Sequence, residues 1–140
     1  MGQTQSIEYS TFEIIQKITS NDILIHTMNV DEQNVLIHQT ISAENEENKI
    51  NSLMKERKWN VNIIIYGKNW MDKKVNTKYE QLKKLGFQQV SIYNGGLFEW
   101  LLLQDIYGPS EFPTTSKELD LLKYKPIPII NSLLLMNEVD

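Results

Sequence analysis

The chain predicts an α/β fold: a mainly parallel sheet flanked by helices on both faces. Three observations carry this. Short β-branched runs alternate with helical patterns along the 140 residues, the order from which βαβ units are built. The run Val61-Asn62-Ile63-Ile64-Ile65-Tyr66 is nearly continuous in apolar side chains, as in a central strand buried on both faces. Gly67, Gly86 and Gly108 stand where the patterns break off. A chain of this length can bury one core, so a single domain is expected.

The elements follow in order. Thr11 to Ile18 reads as a short amphipathic helix with Ile14, Ile15 and Ile18 on one face and Ser10 or Thr11 as its cap. Asp22 to Thr27 reads as a buried strand, followed by a turn at Asn29 and Asp31, and Asn34 to His38 as a second strand. Glu44 to Lys58 is a charged helix with Ile50, Leu53 and Met54 as its apolar stripe. After the 61–66 strand, Asp72 can cap a helix running to Leu85, with Val75, Tyr79, Leu82 and Leu85 inward and Gly86 as its stop. Gln89 to Tyr93 is another strand, and Asn94-Gly95-Gly96 a turn with positive-φ capacity. Leu97 to Tyr107 is a helix, broken at Gly108-Pro109. That helix is apolar almost all round, so it must be covered on more than one side, by the C-terminal tail or by a second subunit.

Composition removes whole classes of function. There is no cysteine, which excludes disulfides, thiolate metal sites and any cysteine nucleophile in this chain. Two histidines, His26 and His38, make a multi-histidine metal site a poor expectation, and no cofactor or metal is predicted. Net charge is −4 and the basic residues include a single arginine, Arg57. Nucleic acid is therefore not an expected partner. No apolar stretch is long enough for a transmembrane helix.

Met1-Gly2-Gln3-Thr4-Gln5-Ser6 fits the N-myristoylation pattern, which makes Gly2 a candidate lipidation site. One acyl chain binds membrane only marginally, and neither a polybasic run nor a palmitoylatable cysteine accompanies it. The expected location is cytoplasmic, peripheral on a membrane face if acylated.

In parallel α/β sheets, ligands sit beyond the carboxyl ends of strands. The loop Gly67-Lys68-Asn69-Trp70-Met71-Asp72 joins the strongest strand to a helix start, so it is the default site. Amide groups at that helix start would favour an anion, with Lys68 as a candidate contact. Trp70, at the loop tip, would act as a binding anchor if exposed. Trp100 reads as core and Trp59 as cover for a strand edge. His26 and His38, with Glu44 or Asp31, could in principle form an acid–base pair; a structural role at strand ends is the commoner outcome. Glu44, Glu46 and Glu47 suit a solvated helix N-terminus.

Residues 63–67, a six-residue loop, a helix ending Leu82-Lys83-Lys84-Leu85-Gly86-Phe87 and the run Val90 to Trp100 together resemble the rhodanese homology domain. That family's pattern is a strand ending Tyr-Cys, a loop, a helix ending in Gly-Phe, a strand, and Gly-Gly-x-x-x-Trp. His26-Thr27-Met28 falls where the family has Asp-x-Arg, and Thr40-Ile41-Ser42-Ala43 is similar to its His-Ile-Pro-Gly-Ala turn. The resemblance spans roughly residues 10–108. It implies that Gly67 occupies the position of the catalytic cysteine, which carries a persulfide in sulfurtransferases and attacks phosphate in related phosphatases. It also places Asp72 where an anion-friendly residue is usual, and Trp70 and Met71 where small residues are usual.

The organisation expected is an N-terminal segment (1–9), a rhodanese-like domain (10–108) and an extension (109–140) that packs on the domain or mediates assembly. The function expected is an interaction or scaffold module without sulfurtransferase activity, binding protein partners or its own copies. The alternatives are an enzyme or small-anion sensor using loop 67–72 without cysteine, and a structural subunit of an assembly.

Overall fold

A computed structural model describes residues 6–127. Its centre is a sheet of four strands, β1 (Tyr9–Ser10), β2 (Ile23–His26), β3 (Asn62–Tyr66) and β4 (Gln89–Tyr93), in the order β1-β4-β3-β2 with every pair parallel. The registers bring Ser10, Tyr93, Tyr66 and His26 into one row at the carboxyl edge. Four helices connect and cover the sheet: α1 (Phe12–Gln16), α2 (Ala43–Lys55), α3 (Lys74–Leu85) and α4 (Gly96–Tyr107).

Strand side chains alternate between the two faces, and the core divides accordingly. Leu24, Ile64, Tyr66 and Tyr93 face Ile15 of α1, Leu97, Trp100 and Leu101 of α4, and the later residues Phe112 and Tyr124. Ile23, Ile25, Ile63, Ile65, Val90 and Ile92 face Ile50 and Leu53 of α2 and Val75, Tyr79 and Leu82 of α3. All three isoleucines of β3 are fully buried, which explains why that strand lacks polar alternation. Each such side chain stabilises the fold by about 1.5–3 kcal/mol relative to exposure.

The structure corrects several expectations. Asn34 to His38 is not a strand of the sheet; it makes a single antiparallel bridge, Ile37 with Thr114. Its backbone pairs instead with the extension, through His38 N–H to Pro113 O (3.0 Å) and Thr115 N–H to Leu36 O (2.8 Å). Burial of Val35, Leu36 and Ile37 is what the apolar pattern had reported. Strand β1 was not foreseen, because two residues carry no readable period. Ile14 is exposed while Phe12 packs on the core: five residues make barely more than a turn, too short for a full stripe. Helix α2 stops at Lys55, and Arg57 turns left-handed (φ 58°). Leu85 is exposed, one turn beyond the last inward position of α3. Gly86 does end that helix, at φ 117°. The lipidation candidate Gly2 and the tail from Pro128 onward lie outside the described residues. Among those described, no helix is long and apolar enough to cross a membrane.

Candidate functional site

The carboxyl end of β3 runs directly into Gly67. The backbone there is held from two sides. Gly67 O and Lys68 O accept the N–H groups of Leu97 and Phe98 (2.9 and 3.0 Å), so the first turn of α4 is anchored on the loop. Gly96, at φ 68°, permits this approach; a Cβ there would stand 2.7 Å from Gly67 O and 2.9 Å from Asn69 N.

Above Gly67 lies the carboxylate of Asp72, whose side chain is 8% exposed. Its Oδ2 accepts from Lys68 N–H (3.2 Å) and Thr27 Oγ1 (3.2 Å), and its Oδ1 accepts from Lys74 N–H (3.0 Å). Asp72 thus accepts the first amide of α3, but it is not the cap residue foreseen: the helix begins at Lys74, and its cap position is Lys73, which makes no side-chain cap hydrogen bond. A Cβ on Gly67 would stand 2.5 Å from Asp72 Oδ2 and 2.9 Å from Thr27 Oγ1. The space that a side chain at position 67 needs is filled by the chain's own carboxylate. The anion expected at this helix start is Asp72 itself.

The rest of the loop is similarly engaged. Lys68, the candidate anion contact, pairs with Glu32 at 2.6 Å. Asn69 is buried; it donates from Nδ2 to Tyr124 O (2.8 Å) and accepts Met71 N–H at Oδ1 (2.9 Å). The loop is thus pinned to the extension. Trp70 and Met71 point outward, Trp70 being 52% exposed with its ring 6.4 Å from Phe98. Thr27, Glu32 and Tyr124, which hold the loop, were not foreseen in that role. Only the departure of His26-Thr27-Met28 from the family pattern hinted at it.

The other candidates separate. Trp100 is core, its Nε1 donating to Pro113 O (3.0 Å). Trp59 packs on Phe87, ring centroids 5.3 Å apart, and lies over Gly86. His38 is exposed on a turn, whereas His26 is buried at the end of β2. His26 Nδ1 accepts Met28 N–H (3.0 Å), which leaves the ring proton on Nε2, where no partner is present among the described residues. Burial holds this imidazole below its ordinary pKa, with Glu46 opposing and Lys78 and Lys74 assisting. The charged groups that act on His26 are thus not Glu44 or Asp31. Tyr66 is fully buried, its hydroxyl accepting Ile37 N–H (3.0 Å) and sharing a hydrogen bond with Thr40 (2.7 Å); burial pushes its pKa up.

Here a strand-to-helix loop, its amides around an acidic group, closes over the carboxyl edge of an open parallel sheet. Such a loop over such a sheet is the architecture of the α/β domains as a class, and the carboxyl edge is where such sheets in general carry a ligand crevice. The sequence identifies the member. Residues 25–103, more than half the chain, match the rhodanese-like domain family, and the chain belongs to it. Crystal structures of an Anabaena sp. protein share the fold. One matches with a TM-score of 0.57 at 16% identity, covering 81% of this chain and 97% of the other. Another, described as a Rhodanese_3 like domain, matches at 0.51 and 18%, covering 69% and 94%. A third, described as the rhodanese-like domain of the same protein, matches at 0.51 and 17%, covering 75% and 97%. No curated protein matches. This chain has no cysteine, so the persulfide chemistry the resemblance implied has no thiolate to carry it.

Proposed function

We propose that the chain is a non-catalytic rhodanese-like module that works by binding a protein partner through the face around loop 67–72. The observation that carries this reading is the Asp72 carboxylate, seated over Gly67 on Lys68 N–H and Thr27 Oγ1. It occupies the room an anionic donor or a nucleophilic side chain would need. A small-anion sensor using the same loop is disfavoured by the same contact. The half-exposed Trp70 on a loop anchored from both sides is the kind of rigid aromatic that serves as an interface anchor. The Met1–Ser6 pattern supports a reversible myristoyl tether at Gly2, holding the module on a cytoplasmic membrane face.

The test has three parts. Purified protein should transfer no sulfur from thiosulfate to cyanide; turnover that co-purifies with the protein and responds to mutation of loop 67–72 overturns the non-catalytic reading. Partner capture quantified by mass spectrometry should fall with Trp70→Ala, and equal capture overturns the docking reading. Co-expression with an N-myristoyltransferase should add one acyl mass that Gly2→Ala removes.

A second reading, a subunit of an assembly, is favoured by α4. Leu102, Ile106 and Tyr107 remain exposed on it, with Leu119 and Leu122 exposed on the extension. Light scattering of the full chain and of Ile106→Glu distinguishes this: an assembly that dissolves in the variant supports it.

A further inference from the structure

Beyond the carboxyl ends of β1 and β4 lies an open cavity of about 400 Å³, within the size range of small-ligand and side-chain pockets. Its walls are Phe12 and Glu13 of α1, Trp70 of the loop, Tyr93 at the end of β4, and Glu99 in the first turn of α4. Ser10, Thr11, Asn94 and Gly95 complete the lining, and both of its charged groups are acidic. Glu99 is partly buried and lies against Gly95, so closely that a Cβ there would stand 2.5 Å from its carboxyl carbon. Its Oε1 accepts the Tyr93 hydroxyl at 2.6 Å. Among the described residues, no lysine, arginine or histidine nitrogen comes within 4.0 Å of Glu99 or of Glu13, whereas Asp72, Glu32 and Glu46 each have a lysine within that distance. Among the described residues, the cavity therefore offers two carboxylates with no cationic nitrogen within 4.0 Å, and beside them a tryptophan that keeps half its surface in solvent.

A partly buried carboxylate lacking a cation gains most from a cationic ligand, because the local dielectric is below that of water. An indole wall adds cation–π attraction. A guanidinium satisfies both, pairing bidentately with a carboxylate while its plane lies on the ring. Burial and the Glu99 hydrogen bond both raise the Tyr93 pKa, which keeps its hydroxyl a neutral donor that fixes Glu99 without competing for the cation. Anionic segments meet like charge on both walls.

We infer that this cavity, between Trp70, Phe12, Glu13 and Glu99, is the subsite that receives an arginine-bearing segment of the protein partner. The inference rests on the docking role proposed for loop 67–72 and adds the partner's charge to it.

The probe is a pair of capped pentapeptides, one with two arginines between glycines and one with two glutamates in their place, titrated into full-length ¹⁵N-labelled protein. The arginine peptide should shift the Trp70 indole and Gly95 amide signals. Glu99→Gln, which keeps an oxygen for Tyr93, should weaken binding by about tenfold, since the charge-assisted bond is lost. Glu13→Gln, an exposed substitution that leaves the core untouched, should weaken it by about threefold, and Glu80→Gln on α3 should leave it unchanged. Raising salt from ~50 to ~300 mM should weaken it several-fold. The inference is overturned by equal binding of the glutamate peptide, by full binding to both Glu99→Gln and Glu13→Gln, by shifts that map elsewhere, or by no shifts at ~10 mM peptide, where even a weak single-site contact registers. Partner capture that depends on Trp70 but not on Glu99 or Glu13 removes the arginine subsite and leaves the docking role standing. Capture that ignores Trp70 removes the docking role, whatever the peptides do.

Discussion

Two carboxylates lie over glycines at the same edge of the sheet, and they are used in opposite ways. Asp72 sits on Gly67 after β3 and Glu99 sits on Gly95 near the end of β4. Asp72 is turned inward, accepts from two amides and a hydroxyl, and is almost wholly buried. Glu99 accepts from one phenol and lines an open cavity. Each acid follows its glycine by only a few residues, yet one carboxylate is closed in and the other faces an open cavity. The difference lies in the available donors. The loop after β3 turns its Lys68 and Lys74 amides toward the acid, whereas the turn after β4 leads straight into α4, whose first amides already serve Gly67 O and Lys68 O.

The comparison is broken most severely at Gly67. Gly67→Cys must displace a carboxylate held by three donors, so it should destabilise the fold by about 3 kcal/mol, as overpacking and lost hydrogen bonds together cost. Denaturant unfolding measures this. Combining it with Asp72→Ala should cost less than the sum of the two, since the second change vacates the space the first requires; strict additivity would show that the carboxylate is not there. Asp72→Ala alone should cost about 1–3 kcal/mol, the range for leaving buried donors unpaired. Asn69→Ala should cost about 1–2 kcal/mol by releasing the Tyr124 carbonyl, and it should raise hydrogen exchange in residues 67–72 more than in 94–97. Glu99→Gln should change stability by about 0.5 kcal/mol or less, because its one hydrogen bond survives.

The smallest effect is a pH slope at the next position along that edge. An imidazole held below the ordinary value of 6.5 binds its proton more readily in the unfolded chain. Stability is therefore full above that value and declines as pH falls through it toward the folded pKa. His26→Asn can still accept Met28 N–H, and should flatten the decline in melting temperature between about pH 7 and 5.5. An unchanged slope would assign it to other groups.

How far the sequence was legible depends on the range of the interactions. Helices α2, α3 and α4 and strands β2, β3 and β4 follow from local periodicity, and Gly86 from a local stop. The five-residue α1 was placed but its buried face was misread, since Ile14 points outward. The segment at 34–38 was readable as buried but not as paired with Pro113 and Thr115, partners nearly eighty residues away. Loop 67–72 was identified from its place after the strongest strand. Its contents were not: Lys68 as half of an ion pair with Glu32, and Asn69 as a tie to Tyr124, depend on segments that meet only in the folded chain.

By itself the sequence determined the α/β class, the rhodanese resemblance and the absence of any thiol, because strand period, helix stops and the cysteine count are properties of residues and their near neighbours. Only the tertiary structure decided what stands in the thiol's place. A carboxylate five residues from Gly67 can point to solvent or into the cradle, and the choice is made by donors on Thr27, Lys68 and Lys74 that converge only once β2 and β3 are side by side. The folded chain also leaves Glu99, among the described residues, with no cationic nitrogen within 4.0 Å, and Trp70 half-exposed, the two features on which the proposed docking face rests.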